Sequence, residues 1–93
     1  MSRKIKRPVV VVEWVDITCR SVWTDEKEVD HTPLRITSVG FELRRTRDML
    51  TIYGDHGDNR QLARIMVIPM SNVSKRTVVG RLSFEDDEGT GTS

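Results

Sequence analysis

The stretch Leu62 to Val73, "LARIMVIPMSNV", decides between two folds. Leu62, Ile65 and Met66 fit a short helix capped by Asp58 or Asn59, which would lie on an open sheet. The same residues hold a continuous apolar run, "IMVI", that is short, bounded by turn-formers and stopped by Pro69. A run of that length suits a buried strand better than two turns of helix. A strand is therefore expected over Ala63 to Ile68. "PMSNV" then reads as a tight turn, or one turn of 3₁₀ helix, leading into a last strand.

Working outward, Lys75 to Phe84 places Val78, Leu82 and Phe84 among polar neighbours around Gly80 and reads as that last strand. On the other side "GDHGDN", Gly54 to Asn59, is a connection of turn-formers. Met49 to Tyr53 alternates Leu50 and Ile52 with Thr51 and Tyr53, and "RTRD" joins it as a hairpin to Leu34 to Arg45. Val9 to Cys19 is rich in β-branched residues and reads as the first strand. Its apolar phase slips at Trp14-Val15, and that of Leu34 to Arg45 slips beside Gly40. Such slips are what bulges or sharp bends produce. Residues 20–33, "RSVWTDEKEVDHTP", form a long acidic loop of the kind that often carries function. The fold expected is all-β: five short strands bent strongly enough to curl the sheet shut.

Ninety-three residues supply one hydrophobic core. Hydrophobic residues at 37% and charged residues at 31% argue against disorder of the whole chain. The net charge of +1 is unevenly laid out. Arg3, Lys4, Lys6 and Arg7 make residues 1–7 a basic arm, and "EDDEGTGTS", residues 85–93, an acidic flexible tail. The two ends could attract each other, with the barrel domain between them at residues 8–84. A uniformly basic domain, the signature of phosphate neutralisation, is missing. Cys19 is the single cysteine, so no intrachain disulfide forms and a reducing cytoplasm fits. The apolar run from Val9 to Val12 is interrupted by Glu13, far short of a membrane span.

The order and spacing of these elements over roughly residues 9 to 82 resemble an SH3-like or Sm-like small barrel. The Sm signature is only faintly echoed by "RRTRDMLTIYG" and "VVGRL", so its RNA-binding residues are not carried over. "VEWVD", "SVWTDE", "ITSVGFEL" and "VIPMSNV" are also similar to short proteins of bacteriophages and prophages. That resemblance implies a mobile-element origin and no chemistry.

Several residues are candidates for a site. Trp14 and Trp23 could cage a cation or stack on a base, or Trp14 could belong to the core while Trp23 covers the open end of the barrel. Arg44, Arg45 and Arg47 crowd the hairpin turn, and Arg60 and Arg64 approach the fourth strand. Arginines of this kind clamp phosphate or carboxylate, but alternation puts Arg44 and Arg45 on opposite faces. His31, Asp55, His56 and Asp58 match no common zinc or calcium spacing and read as a glycine turn with polar rims, so no metal is assigned. Cys19 reads as a small buried hydrophobe. No phosphate-cradling loop, catalytic triad or paired carboxylates stand out, so no catalytic residue and no cofactor are assigned.

The binding set is therefore Trp23, Arg44, Arg45, Arg47, Arg60 and Arg64. The role expected is a non-catalytic module that binds a host or phage protein through the acidic loop and the arginine-rich hairpin. Two alternatives stand beside it. One is an anti-defence protein that sequesters a small anionic nucleotide. The other is an Sm-like RNA binder, which needs a homo-oligomer assembled through edge strands.

Overall fold

In the computed structural model, which describes residues 3–17 and 22–86, the chain forms seven strands and two 3₁₀ turns. The strands are β1 (Arg3–Asp16), β2 (Leu34–Arg45), β3 (Met49–Tyr53), β4 (Asp55–His56), β5 (Leu62–Ala63), β6 (Met66–Pro69) and β7 (Val73–Asp86). The turns are η1 (Glu26–Glu28) and η2 (Met70–Asn72). Five strands make one antiparallel sheet in the order β6-β3-β2-β1-β7, and β4 pairs with β5 alone. No helix among the described residues is long and apolar enough to cross a membrane.

The deciding stretch carries no α-helix, and the strand expected over Ala63 to Ile68 is two strands rather than one. The break falls at Arg64, whose φ of 56° lies in the left-handed region and cannot continue a strand. Its guanidinium holds the kink by donating two hydrogen bonds to Asp55, at 2.7 and 3.0 Å. The connection read over Gly54 to Asn59 correspondingly contains β4.

Alternation turns Val10, Val12 and Trp14 of β1 to one face, together with Leu50 and Ile52 of β3, Ile68 of β6 and Val78 of β7. β6 and β7 are opposite edges of the sheet, yet both feed this one cluster, so the sheet curls over it. That curl, closed at one end by Met70 of η2, takes Val10, Val12 and Leu50 to 0% exposure. Burying each such side chain stabilises the fold by about 1.5–3 kcal/mol. Closure into a barrel is not completed by hydrogen bonding: among the described residues no ladder joins β6 to β7. β6 is only four residues long and ends at Pro69, which has no N–H to donate, and η2 makes the connection instead.

Three register shifts let the strands bend. Ser74 is the extra residue between the pairs Glu13↔Lys75 and Trp14↔Val73, so the bulge lies in β7, whereas β1, with its slip expected at Trp14-Val15, pairs with β2 without a break. Leu43 is extra between Glu42↔Ile52 and Arg44↔Thr51, whereas the register is unbroken beside Gly40, the place of the expected slip. Gly40 itself answers to a close approach: a Cβ there would stand 2.8 Å from the Tyr53 carbonyl oxygen. The third shift has Val79 as the extra residue between Val9↔Gly80 and Val10↔Val78.

β1 begins well before the expected residue 9. Arg3 to Pro8 pair with Asp86 to Arg81, beyond the last pair of β1 with β2 at Val9↔Phe41. Residues 3–7, read as a separate arm, and the first two residues of the tail thus form a two-stranded ribbon. Lys4 and Glu85 lie 3.7 Å apart across it, the end-to-end attraction expected from the charge layout. Cys19 and residues 87–93 lie outside the described residues, and with them the readings made there.

On the face opposite the core, four rings pack together. Phe41 lies 5.3 Å from both Tyr53 and Phe84, edge-on to the latter, and His56 stacks on Phe84 at 3.8 Å and 11°. Tyr53 Oη lies 3.0 Å from His56 Nδ1. This second cluster fixes β4 to the ribbon and buries Tyr53 to 1% exposure.

Candidate interaction surface

The two tryptophans have separate fates. Trp14 packs against the core and donates its indole N–H to Ser38 Oγ at 3.0 Å. Trp23 is wholly exposed, with Val22 beside it at 70%. It therefore neither covers an end of the sheet nor forms a cage with Trp14. The loop that carries it leaves from the pair Asp16↔Leu34. Local carboxylates shape both of its roots: Asp16 accepts from the Ile17 N–H at 2.8 Å, and Asp30 from the Thr32 N–H at 2.9 Å. Asp25, Glu26, Glu28 and Asp30 outnumber Lys27 along its exposed course.

The arginine hairpin is a tight turn closed by Thr46, whose N–H donates to the Met49 carbonyl at 2.9 Å and whose hydroxyl accepts from the Met49 N–H at 3.1 Å. Arg44 stands opposite Thr51 and Arg45 opposite Leu50, so the two point to opposite faces. Arg45 approaches Glu42 at 3.9 Å, while Arg47 is exposed in the turn.

η2 brings hairpin and loop together. The Met70 N–H donates to the Asp48 carbonyl at 2.8 Å, and the Asn72 side-chain amide donates to the Val15 carbonyl at 2.9 Å. The hairpin, η2 and the root of the acidic loop are thus neighbours at one end of the sheet. A cleft of about 300 Å3 lies there, lined by Val15, Asp16, Ile17, Ser71, Asn72 and Val73. A second cleft, of about 280 Å3, shares Asp16 and Ile17 and continues along Asp30 to Pro33.

Arg60 and Arg64 do not join this group. They belong to the β4–β5 hairpin beyond the other end of β3, next to the ribbon. Arg60 has a φ of 68° and donates its N–H to the Gly57 carbonyl at 3.0 Å. The hydrogen bonds from Arg64 hold the exposed Asp55 carboxyl below its ordinary range, and the same bonds raise the Arg64 guanidinium. Among the described residues no three of His, Cys, Asp and Glu are grouped to hold a metal ion. Within "DHGD", Asp55 is engaged by Arg64 and His56 by Tyr53 and Phe84.

One pair escaped the sequence reading. Arg76 of β7 donates from Nε to Glu42 of β2 at 2.6 Å, with side-chain exposures of only 21% and 12%. Both residues fall in the core-facing phase of their strands, between Val78 and Val73 and beside Gly40 and Ile52. Charges of opposite sign in that phase on two strands are the signal that finds such a pair.

No family model, no curated protein and no solved structure matches the chain.

Proposed function

We propose that the chain is a non-catalytic interaction module, a phage or prophage accessory protein in kind, that grips a protein partner with its acidic loop and arginine hairpin. In this reading the curled sheet is an incompletely closed SH3-like or Sm-like barrel, with the 3₁₀ turn before the last strand as its crossover. The observation that carries the proposal is the adjacency of loop root, η2 and hairpin, bridged by the Met70-Asp48 and Asn72-Val15 hydrogen bonds. Acidic and basic elements side by side favour a partner whose charges alternate in the opposite sense and penalise others. An exposed tryptophan on a loop supplies the large amphipathic side chain that dominates many interfaces. Arg60 and Arg64, at the far end, are left out of this surface.

The test replaces Trp23 and Arg47 separately with alanine. Both positions are exposed, so stability should stay within about 0.5 kcal/mol of the parent. Photo-crosslinking from position 23 should trap a defined partner from host extract, and Arg47→Ala should abolish the adduct. An adduct of undiminished yield in that variant would refute the proposal.

A further inference from the structure

A second surface lies at the opposite end and does not depend on the reading above. We propose that the outward face of the β1–β7 ribbon binds the phosphate backbone of duplex nucleic acid. Beyond Val9↔Phe41, Arg3 to Pro8 pair only with Arg81 to Asp86, six pairs with no third strand. At about 3.3 Å per residue the ribbon is a bar roughly 20 Å long. Alternation sorts its side chains. Ile5, Arg7, Leu82 and Phe84 share one face, which the Phe84-His56 stack holds against β4. Lys4, Lys6, Arg81, Ser83 and Glu85 share the other, and all five are exposed.

Charge on the outward face is not balanced. Glu85 faces Lys4 at 3.7 Å, whereas Lys6 and Arg81 have no carboxylate partner among the described residues. Lys4 and Lys6 are two residues apart on one strand, a step of about 6.6 Å, so the cations form a row along the bar. Two unmatched cations thus share the exposed face of the ribbon, where β1 and β7 run on past the rest of the sheet. A two-stranded ribbon also has the cross-section that the major groove admits, about 12 Å wide. Lysine and arginine contacts to phosphate position a protein without reading sequence, so the partner is the backbone of a duplex, whatever its bases. An acidic protein offers similar charges but no groove of that width.

With two to three phosphates neutralised, the logarithm of the binding constant should fall with the logarithm of salt at a slope of about −2 to −3. The assay is fluorescence anisotropy of the whole chain with a labelled mixed-sequence DNA duplex of about 20 base pairs, starting near 20 mM salt. Binding at low salt with that slope is expected. Lys6→Glu and Arg81→Glu should each weaken it about tenfold or more, with circular dichroism melts to show that the variants fold. Should a reversal unfold the ribbon, Lys6→Gln must flatten the slope by about 0.9. Three results would overturn the proposal: no binding at the lowest salt, affinity and slope indifferent to these substitutions, or polyglutamate competing as well as unlabelled duplex.

Discussion

Arg76→Met should unfold the protein at a markedly lower temperature than the parent. Arg76 and Glu42 sit on strands separated by β1, and their 2.6 Å contact spans the curl of the sheet. Methionine keeps most of the aliphatic stem, so the substitution chiefly removes the guanidinium. What stays behind is a carboxylate at 12% exposure whose nearest other cation, Arg45, is 3.9 Å away and half-exposed. Breaking a fully buried pair costs about 3–5 kcal/mol. Residual solvent contact on both partners lowers this to about 2–3 kcal/mol, by the desolvation cost of one unsatisfied charged group. For a domain of this size that shifts the melting temperature by roughly 10–20 °C. Glu42→Leu alone should cost less, because the arginine it strands is the more exposed partner and has a longer reach to water. The double variant should return to within about 1 kcal/mol of the parent, giving a coupling energy near 2 kcal/mol. Urea denaturation of all four proteins, followed by far-ultraviolet circular dichroism, measures the cycle. Costs that simply add in the double variant, or an Arg76→Met cost below about 0.5 kcal/mol, would refute the reasoning and the curl it reports on.

Other expectations follow from single contacts. Leu50→Ala removes a side chain of 0% exposure and should cost about 3–4 kcal/mol by chemical denaturation. Gly40→Ala sets a methyl group 2.8 Å from the Tyr53 carbonyl oxygen. The β2–β3 pairing must shift to admit it, at a cost of about 1–3 kcal/mol in the same assay. The Asp55 carboxyl is held below its ordinary value of 3.8 by Arg64. Its contribution is therefore complete above that value and is lost as pH falls through the depressed one. The protection of β4 and β5 amides against hydrogen exchange, taken relative to the intrinsic rate at each pH, should fall on acidification below about 4, and Asp55→Asn should remove that dependence.

Leu34–Arg45 and Met49–Tyr53 are legible in the sequence to the residue, because β-rich segments and a compact turn between them leave little freedom. The 3₁₀ turn after Pro69 is legible for a similar local reason. The break at Arg64 is not, since an arginine in the left-handed region has no sequence signature and owes its conformation to Asp55, nine residues earlier. Nor does "RKIKR" announce a strand. Its order comes from a long-range register in which Ile5 meets Phe84 and Lys4 meets Glu85, and charge density alone suggests a solvated arm. The candidate site divides the same way. Exposure of the loop and hairpin follows from composition, whereas the gathering of loop root and hairpin around η2, and the exile of Arg60 and Arg64 to the other end, depend on how the sheet curls.

Val78, Leu82 and Phe84 have the same parity in the sequence, so an unbroken strand would turn all three to one side. Val79 occupies a place in β7 that β1 does not answer, and Leu82 and Phe84 therefore face the other way, beside Arg7 and Ile5. Were Val79 drawn into the ladder opposite Val9, the composition of the final strand would be untouched. It would nevertheless present Arg81, Ser83 and Glu85 to the aromatic rings and turn Phe84 out into water. An uncounted residue in an edge strand thus decides which chemistry the molecule shows at that end.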